Sequence, residues 1–371
     1  MTLEPWQTWE PPHVHKYDAA SGARKQWRLQ FQGVFSSRAS SVPGRLQFQG
    51  VFSSRASSVP GAPELIFGCG GLGSEFKGKG SIAEVLQTLK DMGVNRLDTA
   101  ALYPPDDMGA SQRLLGEAEA AQMGFEIDTK VKIGLTGFKG TLEPKKIASS
   151  ITESYNSLKL DDRVINVFYP HTPDVATPLE EQADGFDAQY RKGLFKKLGV
   201  CNFSADMLAE FIDICERKGY VKPTVYQGLY NLIDRRHEGP VVDLVRKHGM
   251  QFVAHSPHAS GFLRGSLTTG QVEGTRFSEG NIMSLDARRY DKEKYHAAIR
   301  LLDSTLEPYG IPKTEVSLRW LAFHSKLTTQ DAIIFGASKM HQLEQNIAAI
   351  GKGPLPEEVV EALDRFWEAW Q

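Results

Sequence analysis

Arg96-Leu97-Asp98-Thr99-Ala100-Ala101-Leu102-Tyr103-Pro104-Pro105 sets a carboxylate within a short apolar run and a phenol five residues later. Leu97 to Leu102 reads as a buried strand that brings Asp98 to the strand exit and Tyr103 to the loop beyond. Burying a lone charge is heavily penalised, so Asp98 needs a cationic or hydrogen-bonding partner. A phenol with an ordinary pKa of about 10 is a reluctant proton donor near neutrality. A neighbouring ammonium lowers that value. Both residues therefore ask for one lysine, delivered by another strand.

Outward from this stretch, from Pro63 onward, short apolar runs alternate with amphipathic ones. Strands are predicted at Glu64 to Gly68, Leu97 to Leu102, Phe125 to Val131, Val164 to His171, Lys197 to Phe203, Thr224 to Tyr230, Phe252 to Pro257 and Ala332 to Ser338. Helical spacing falls at Ile82 to Met92, Ser111 to Gln122, Lys145 to Leu158, Leu179 to Lys192, Ala205 to Lys218, Gly239 to His248 and Lys292 to Tyr309, with a last helix holding Gln342 and Asn346. Such alternation argues for a parallel sheet. Eight strand–helix units over about 300 residues fit an α/β fold of the (β/α)8 TIM-barrel type, with an open doubly wound sheet as the alternative. In a barrel, chemistry sits at the carboxyl ends of the strands and on the loops after them.

Composition narrows the class. The chain has 371 residues, 41% hydrophobic, with 43 basic against 45 acidic residues and a formal net charge of -2. That balance points to neither nucleic acid nor an anionic membrane and leaves a small molecule as the expected partner. Cys69, Cys201 and Cys215 have no metal-ligand spacing and fit a reducing compartment, so a cytoplasmic location is expected. No run of 18 or more apolar residues occurs, and the first residues lack a signal-peptide apolar core, so no membrane association is expected.

Residues 1–61 are set apart. Arg28 to Gly44, RLQFQGVFSSRASSVPG, recurs unchanged as Arg45 to Gly61. A solenoid repeat would recur further and carry a packable apolar face. This isolated 17-residue tandem duplication, rich in Ser, Gly, Gln and Arg, reads as a recent duplication or a gene-model feature, disordered or loosely attached. A regulatory or targeting arm is the functional alternative. Residues 62–371 form the expected barrel.

The strand ends supply the missing partners. Lys130 lies near the end of the third strand, beside Asp98 and Tyr103 in a barrel, and the fourth ends on His171. Taken singly, each is more often a cap, a surface charge or a satisfied core group than a catalyst. Their joint placement carries the weight.

These residues resemble the aldo-keto reductases, and within them the aflatoxin-aldehyde and succinic-semialdehyde reductase branch. The matching pieces are Leu97-Asp98-Thr99-Ala100 with Tyr103, Ile127-Asp128-Thr129-Lys130, His171-Thr172-Pro173-Asp174, Leu198-Gly199-Val200-Cys201-Asn202-Phe203, Pro223-Thr224-Val225-Tyr226-Gln227-Gly228 with Tyr230-Asn231, and Gly336-Ala337-Ser338 with Gln342-Leu343-Glu344-Gln345-Asn346. They occur in the family's order from Pro63 to Gln371. The resemblance implies a TIM barrel that reduces an aldehyde or ketone with NADPH. It implies Tyr103 as general acid, Lys130 and Asp98 as its tuning pair, and His171 as the group orienting the substrate carbonyl.

The resemblance also implies that Asn202 and Gln227 bind the nicotinamide carboxamide, for which an amide offers both a donor and an acceptor. It implies as well that Cys201, His255 and Ser256 line the same cradle. Ser338, Gln342 and Asn346 sit where a strand meets a helix start suited to a phosphate, and a 2′-phosphate is the family expectation. An ordinary Ser-capped turn is the plain alternative there. A homodimer is likewise what the resemblance implies. No metal is expected. Gly68-Cys69-Gly70-Gly71-Leu72-Gly73 lacks the G-x-G-x-x-G pattern with a following acid and reads as a tight strand exit near the substrate.

The family pattern is broken in places. His255-Ser256-Pro257-His258-Ala259-Ser260-Gly261 stands where Tyr-Ser-Pro-Leu-Ala-Gly-Gly is typical, so a smaller, titratable ring replaces the stacking tyrosine. Cys201 replaces a usual serine, and Gln112 a common glutamate. Two further readings remain: a cofactor-bound regulatory subunit of a membrane channel with the same barrel, and a metal-dependent hydrolase using His255 and His258, which lacks an H-x-H after strand one and a third ligand. The long stretch Leu263 to Tyr290 is placed over the cofactor, with Phe277, Arg288 and Arg289 as candidate substrate selectors.

Overall fold

The computed structural model describes residues 59–133, 138–281 and 288–371. Eight parallel strands close in chain order: β1 Glu64–Gly68, β2 Arg96–Asp98, β3 Glu126–Lys130, β4 Ile165–Tyr169, β5 Phe195–Cys201, β6 Pro223–Leu229, β7 Gln251–His255 and β8 Ala332–Phe335. Closure runs through β1 and β8, in register from Glu64 with Ala332 to Phe67 with Phe335. An open doubly wound sheet is thereby excluded, and the fold is a (β/α)8 TIM barrel.

Around it pack α1 Gly78–Asp91, α2 Ala110–Glu117, α3 Pro144–Leu158, α4 Leu179–Tyr190, α5 Ala205–Lys218, α6 Pro240–Lys247, α7 Glu293–Leu306, α8 Lys313–Phe323, α9 Met340–Gly351 and α10 Glu357–Trp370. Their ends follow local chemistry. Ser204 caps α5 by accepting from the Met207 amide at 3.2 Å, and Gly219 ends it in the left-handed region at φ 66°. Proline opens α3 and α6, where its missing N–H costs nothing.

Strand residues alternate between two cores, because a barrel strand is covered on both faces. On β8, Ala332 and Ile334 point inward with Ile66, Val167, Tyr169, Val225 and Val253, whereas Ile333 and Phe335 join the core under the helices. The lower interior also carries charge: Arg96 pairs with Asp128 and Glu64, each at 2.8 Å, and Asn166 donates to Asp128 at 2.8 Å. The Tyr169 ring is buried, 5.9 Å from Lys130 Nζ, and closes the interior beneath the mouth.

Three features differ from the sequence expectation. β2 ends at Asp98, so the chain leaves the sheet sooner than the apolar run implies. α2 ends at Glu117, followed by Glu119 in the left-handed region at φ 58°. The connection from β7 to β8 holds a second helix, α8, and α10 follows α9. α8 buries Val316 through Ala322 without a break, so it has no amphipathic stripe to betray it. The arm assigned to residues 1–61 lies, apart from 59–61, outside the described residues.

Candidate active site

Strand register brings the four strand-end groups together. β2 pairs with β3 and β3 with β4, which sets Asp98, Lys130 and the exit to His171 side by side. Lys130 Nζ donates to Asp98 Oδ2 at 2.6 Å and to the Thr99 carbonyl at 3.0 Å. The same ammonium lies 5.2 Å from the centre of the Tyr103 ring. The Tyr103 and His171 rings meet edge to face, with centroids 5.4 Å apart. A hidden framework holds them: Thr99 and Ser111 hydroxyls bond at 2.8 Å, Ser111 donates to the Cys69 carbonyl at 2.9 Å, and Gln112 donates to Thr129 and Ser154 at 2.7 and 3.0 Å.

Burial sets the protonation states. It pushes the Tyr103 phenol up to about 12, with Lys130 pulling it down and Asp98 pushing it up. The lysine therefore acts in the expected direction but does not win against desolvation, and the phenol is fully protonated at neutral pH. Lys130 itself is pulled down by burial, but Asp98 and the phenol outweigh this and hold it above its usual value. Burial, with the charge of Lys130 and the neighbouring His255, keeps His171 well below its usual range, so its imidazole is neutral. His171 Nδ1 is buried and has no hydrogen-bond partner.

The cradle residues form a linked set. Gln227 Nε2 donates to Asp98 Oδ1 at 2.9 Å, and Cys201 Sγ lies 3.7 Å from Gln227 Oε1. Asn202 Nδ2 is 3.2 Å from Cys201 Sγ, and Asn202 Oδ1 is 3.3 Å from His255 Nε2. His255 Nδ1 is 3.1 Å from the Ser256 hydroxyl. Asn202 and Ser256 both leave their strands in the left-handed region, at φ 57° each. Asn tolerates that conformation well; serine does so at a cost.

Against this geometry, comparison with known proteins is decisive. The model of the aldo/keto reductase family matches residues 64–368. The chain belongs to the aldo/keto reductase family. It is 33% identical to aflatoxin B1 aldehyde reductase member 2 of Mus musculus over 316 residues, 82% of this chain and 84% of the relative. It is 33% identical to the oxidoreductase sirO of Leptosphaeria maculans, covering 83% of this chain and 94% of the relative. Aldo-keto reductase family 7 member A3 of Homo sapiens is 32% identical, over 77% of this chain and 88% of its own length. Membership makes the chain a carbonyl-reducing oxidoreductase.

In this aldo/keto reductase the far end of the cradle differs in detail from the sequence expectation. The Ser338 amide and hydroxyl both donate to Gln342 Oε1, at 3.0 and 2.9 Å, and Asn346 Nδ2 donates to the Gly336 carbonyl at 3.0 Å. Ser338 is thus engaged by its own helix, while Lys339 precedes a long helix start with no side-chain cap. The nicotinamide end fits a carboxamide better: Gln227 and Asn202 each keep a second N–H and a second oxygen lone pair beyond the bonds above.

His258 Nε2 donates to the Thr314 carbonyl at 3.1 Å, tying the loop after β7 to α8, while His255 serves Asn202 and Ser256. Among the described residues no three His, Cys, Asp or Glu side chains gather as a metal site. No described helix is long and apolar enough to cross a membrane. Phe277 packs on Phe262 at 6.5 Å between centroids, and the Arg288 side chain lies outside the described structure.

Two residues have surroundings that the sequence did not assign to them. Asp174 accepts from the Gly140, Leu142 and Ala176 amides and the Thr177 hydroxyl, at 2.9, 2.9, 3.0 and 2.7 Å, and so clamps the loops after β3 and β4. Arg276 is half-buried, and desolvation lowers its pKa while the Glu75 carboxylate opposes that shift. Only its place in a long connection after β7 signalled it.

Proposed function

We propose that this aldo/keto reductase reduces an aldehyde or ketone to an alcohol with NADPH, using Tyr103 as the proton donor. The observation that carries the reading is the buried Lys130–Asp98 pair, 2.6 Å long, facing the Tyr103 ring. When bound, the reduced nicotinamide supplies a hydride to the carbonyl carbon. The two electrons of the C=O π bond then collect on oxygen, which needs a proton and preset hydrogen bonds. Tyr103 gives that proton. The Lys130 ammonium stabilises the phenolate left behind, and Asp98 keeps the ammonium in place. Neutral His171 donates to the carbonyl oxygen and sets its direction. Asn202 and Gln227 hold the carboxamide, His255 and Ser256 line the ring, and Lys339 with the start of α9, beside Ser338, Gln342 and Asn346, meets the phosphates.

The mouse relative named as an aldehyde reductase supports the carbonyl class. Three buried cysteines, none in a disulfide, fit the cytoplasmic location, and the homodimer rests on family resemblance. The test is NADPH oxidation with simple aldehydes by the full chain and by Tyr103→Phe. Wild type turns over; the variant binds NADPH but loses at least about 100-fold in kcat. NADPH binding without turnover in wild type would sink the enzyme reading and favour a cofactor-bound regulatory subunit.

A further inference from the structure

Side chains from five strand ends form an unbroken hydrogen-bond path across the barrel mouth. An ionised carboxylate can only accept. Asp98, already paired with Lys130 through Oδ2, therefore takes an N–H from Gln227 at Oδ1, 2.9 Å away, which fixes the orientation of that amide. Gln227 Oε1 then faces Cys201, and because an amide oxygen also only accepts, the thiol must be the donor across 3.7 Å. Burial keeps that thiol protonated by pushing it up to about 12.

The remaining assignments follow in turn. Sulfur, with its S–H directed at Gln227, meets Asn202 Nδ2 as an acceptor at 3.2 Å, so Asn202 presents Oδ1 to His255. An acceptor 3.3 Å from Nε2 requires the proton there. His255 Nδ1 is left to accept from the Ser256 hydroxyl at 3.1 Å. Burial holds His255 down at about 3, so the ring is neutral and has one proton to place. Every donor along the path points toward Asp98.

We propose that Cys201 is a positioning residue whose thiol completes a one-way hydrogen-bond chain from His255 to Asp98, fixing the His255 tautomer and orienting the carboxylate that holds Lys130. A thiol is a weak donor, so it is the softest link. The chain joins the cradle for the hydride donor to the group that readies the proton donor. Its catalytic meaning rests on the reductase reading; its geometry does not.

The deciding measurement is made on the full-length resting protein with ¹⁵N-labelled histidine, by long-range proton–nitrogen correlation, with His255 assigned by its loss in His255→Gln. Wild type is expected to show the Nε2–H tautomer alone between about pH 6 and 8. Cys201→Ser, which keeps a donor and an acceptor, keeps that tautomer. Cys201→Ala breaks the link, lets both tautomers populate, and lowers kcat about fivefold, with Cys201→Ser recovering most of the loss. A wild-type His255 protonated at Nδ1 overturns the chain by itself, whether or not Cys201→Ala folds. Identical tautomer and kcat in the Ala and Ser variants overturn it too. Absence of turnover in every protein, with the tautomer pattern as expected, condemns only the reductase reading.

Discussion

Gly199 lies flat against Tyr169, where an added Cβ would come within 2.2 Å of the ring. Neither partner has room to yield, because Tyr169 is fully buried between strands. Gly199→Ala should therefore cost about 3 kcal/mol, in the range of overpacked cores. Gly351, the last residue of α9, has no atom within 4 Å of its would-be Cβ. Gly351→Ala should leave stability unchanged or raise it by up to about 1 kcal/mol. Urea midpoints of the two variants measure the contrast. At this scale the sequence was informative where position on a strand decides a contact: Asp98, Tyr103, Lys130 and His171 converge because strand ends do. It was silent where a rotamer decides, as when Gln342 turns back to take both donors of Ser338.

Between elements, Asp174 is the clearest device. Burial pushes its carboxyl up, but the Leu142 amide, the Thr177 hydroxyl and the Gly140 and Ala176 amides hold it below the usual range. Asp174→Ala leaves the buried Leu142 amide unpaired and should cost about 3 kcal/mol, while Asp174→Asn, which keeps one oxygen, should cost roughly half as much. Chemical denaturation of both variants checks the order. The alternation of strands and helices was legible because eight short apolar runs alternate with helical stripes. α8 was not, because a helix buried on all sides loses its stripe. Arg319 survives there by donating to the Gly353 and Pro354 carbonyls, at 2.8 and 2.6 Å, a bond pattern that spacing cannot announce.

For the whole molecule, three half-buried histidines, His237, His255 and His258, set the acid limit. Burial lowers His255 to about 3 and His237 and His258 to about 4, against 6.5 in the unfolded chain. Between those values the unfolded chain takes up protons that the fold refuses, so stability rises with pH there. It is complete above pH about 6.5 and is lost as pH falls toward about 4. Thermal melts across this range should show the decline, and His258→Gln, which can still donate to Thr314, should make it shallower. We also place the working unit in residues 62–371: a chain starting at residue 62 is expected to fold and to reduce aldehydes at the full-length rate. Insolubility of that chain would refute a dispensable arm.

The Tyr169 ring, packed on Gly199 above the Arg96–Asp128 pair, has a last consequence for traffic. A barrel stoppered from below offers no way through its axis at that level, so whatever reaches Asp98 and Lys130 enters and leaves on the side of the strand carboxyl ends.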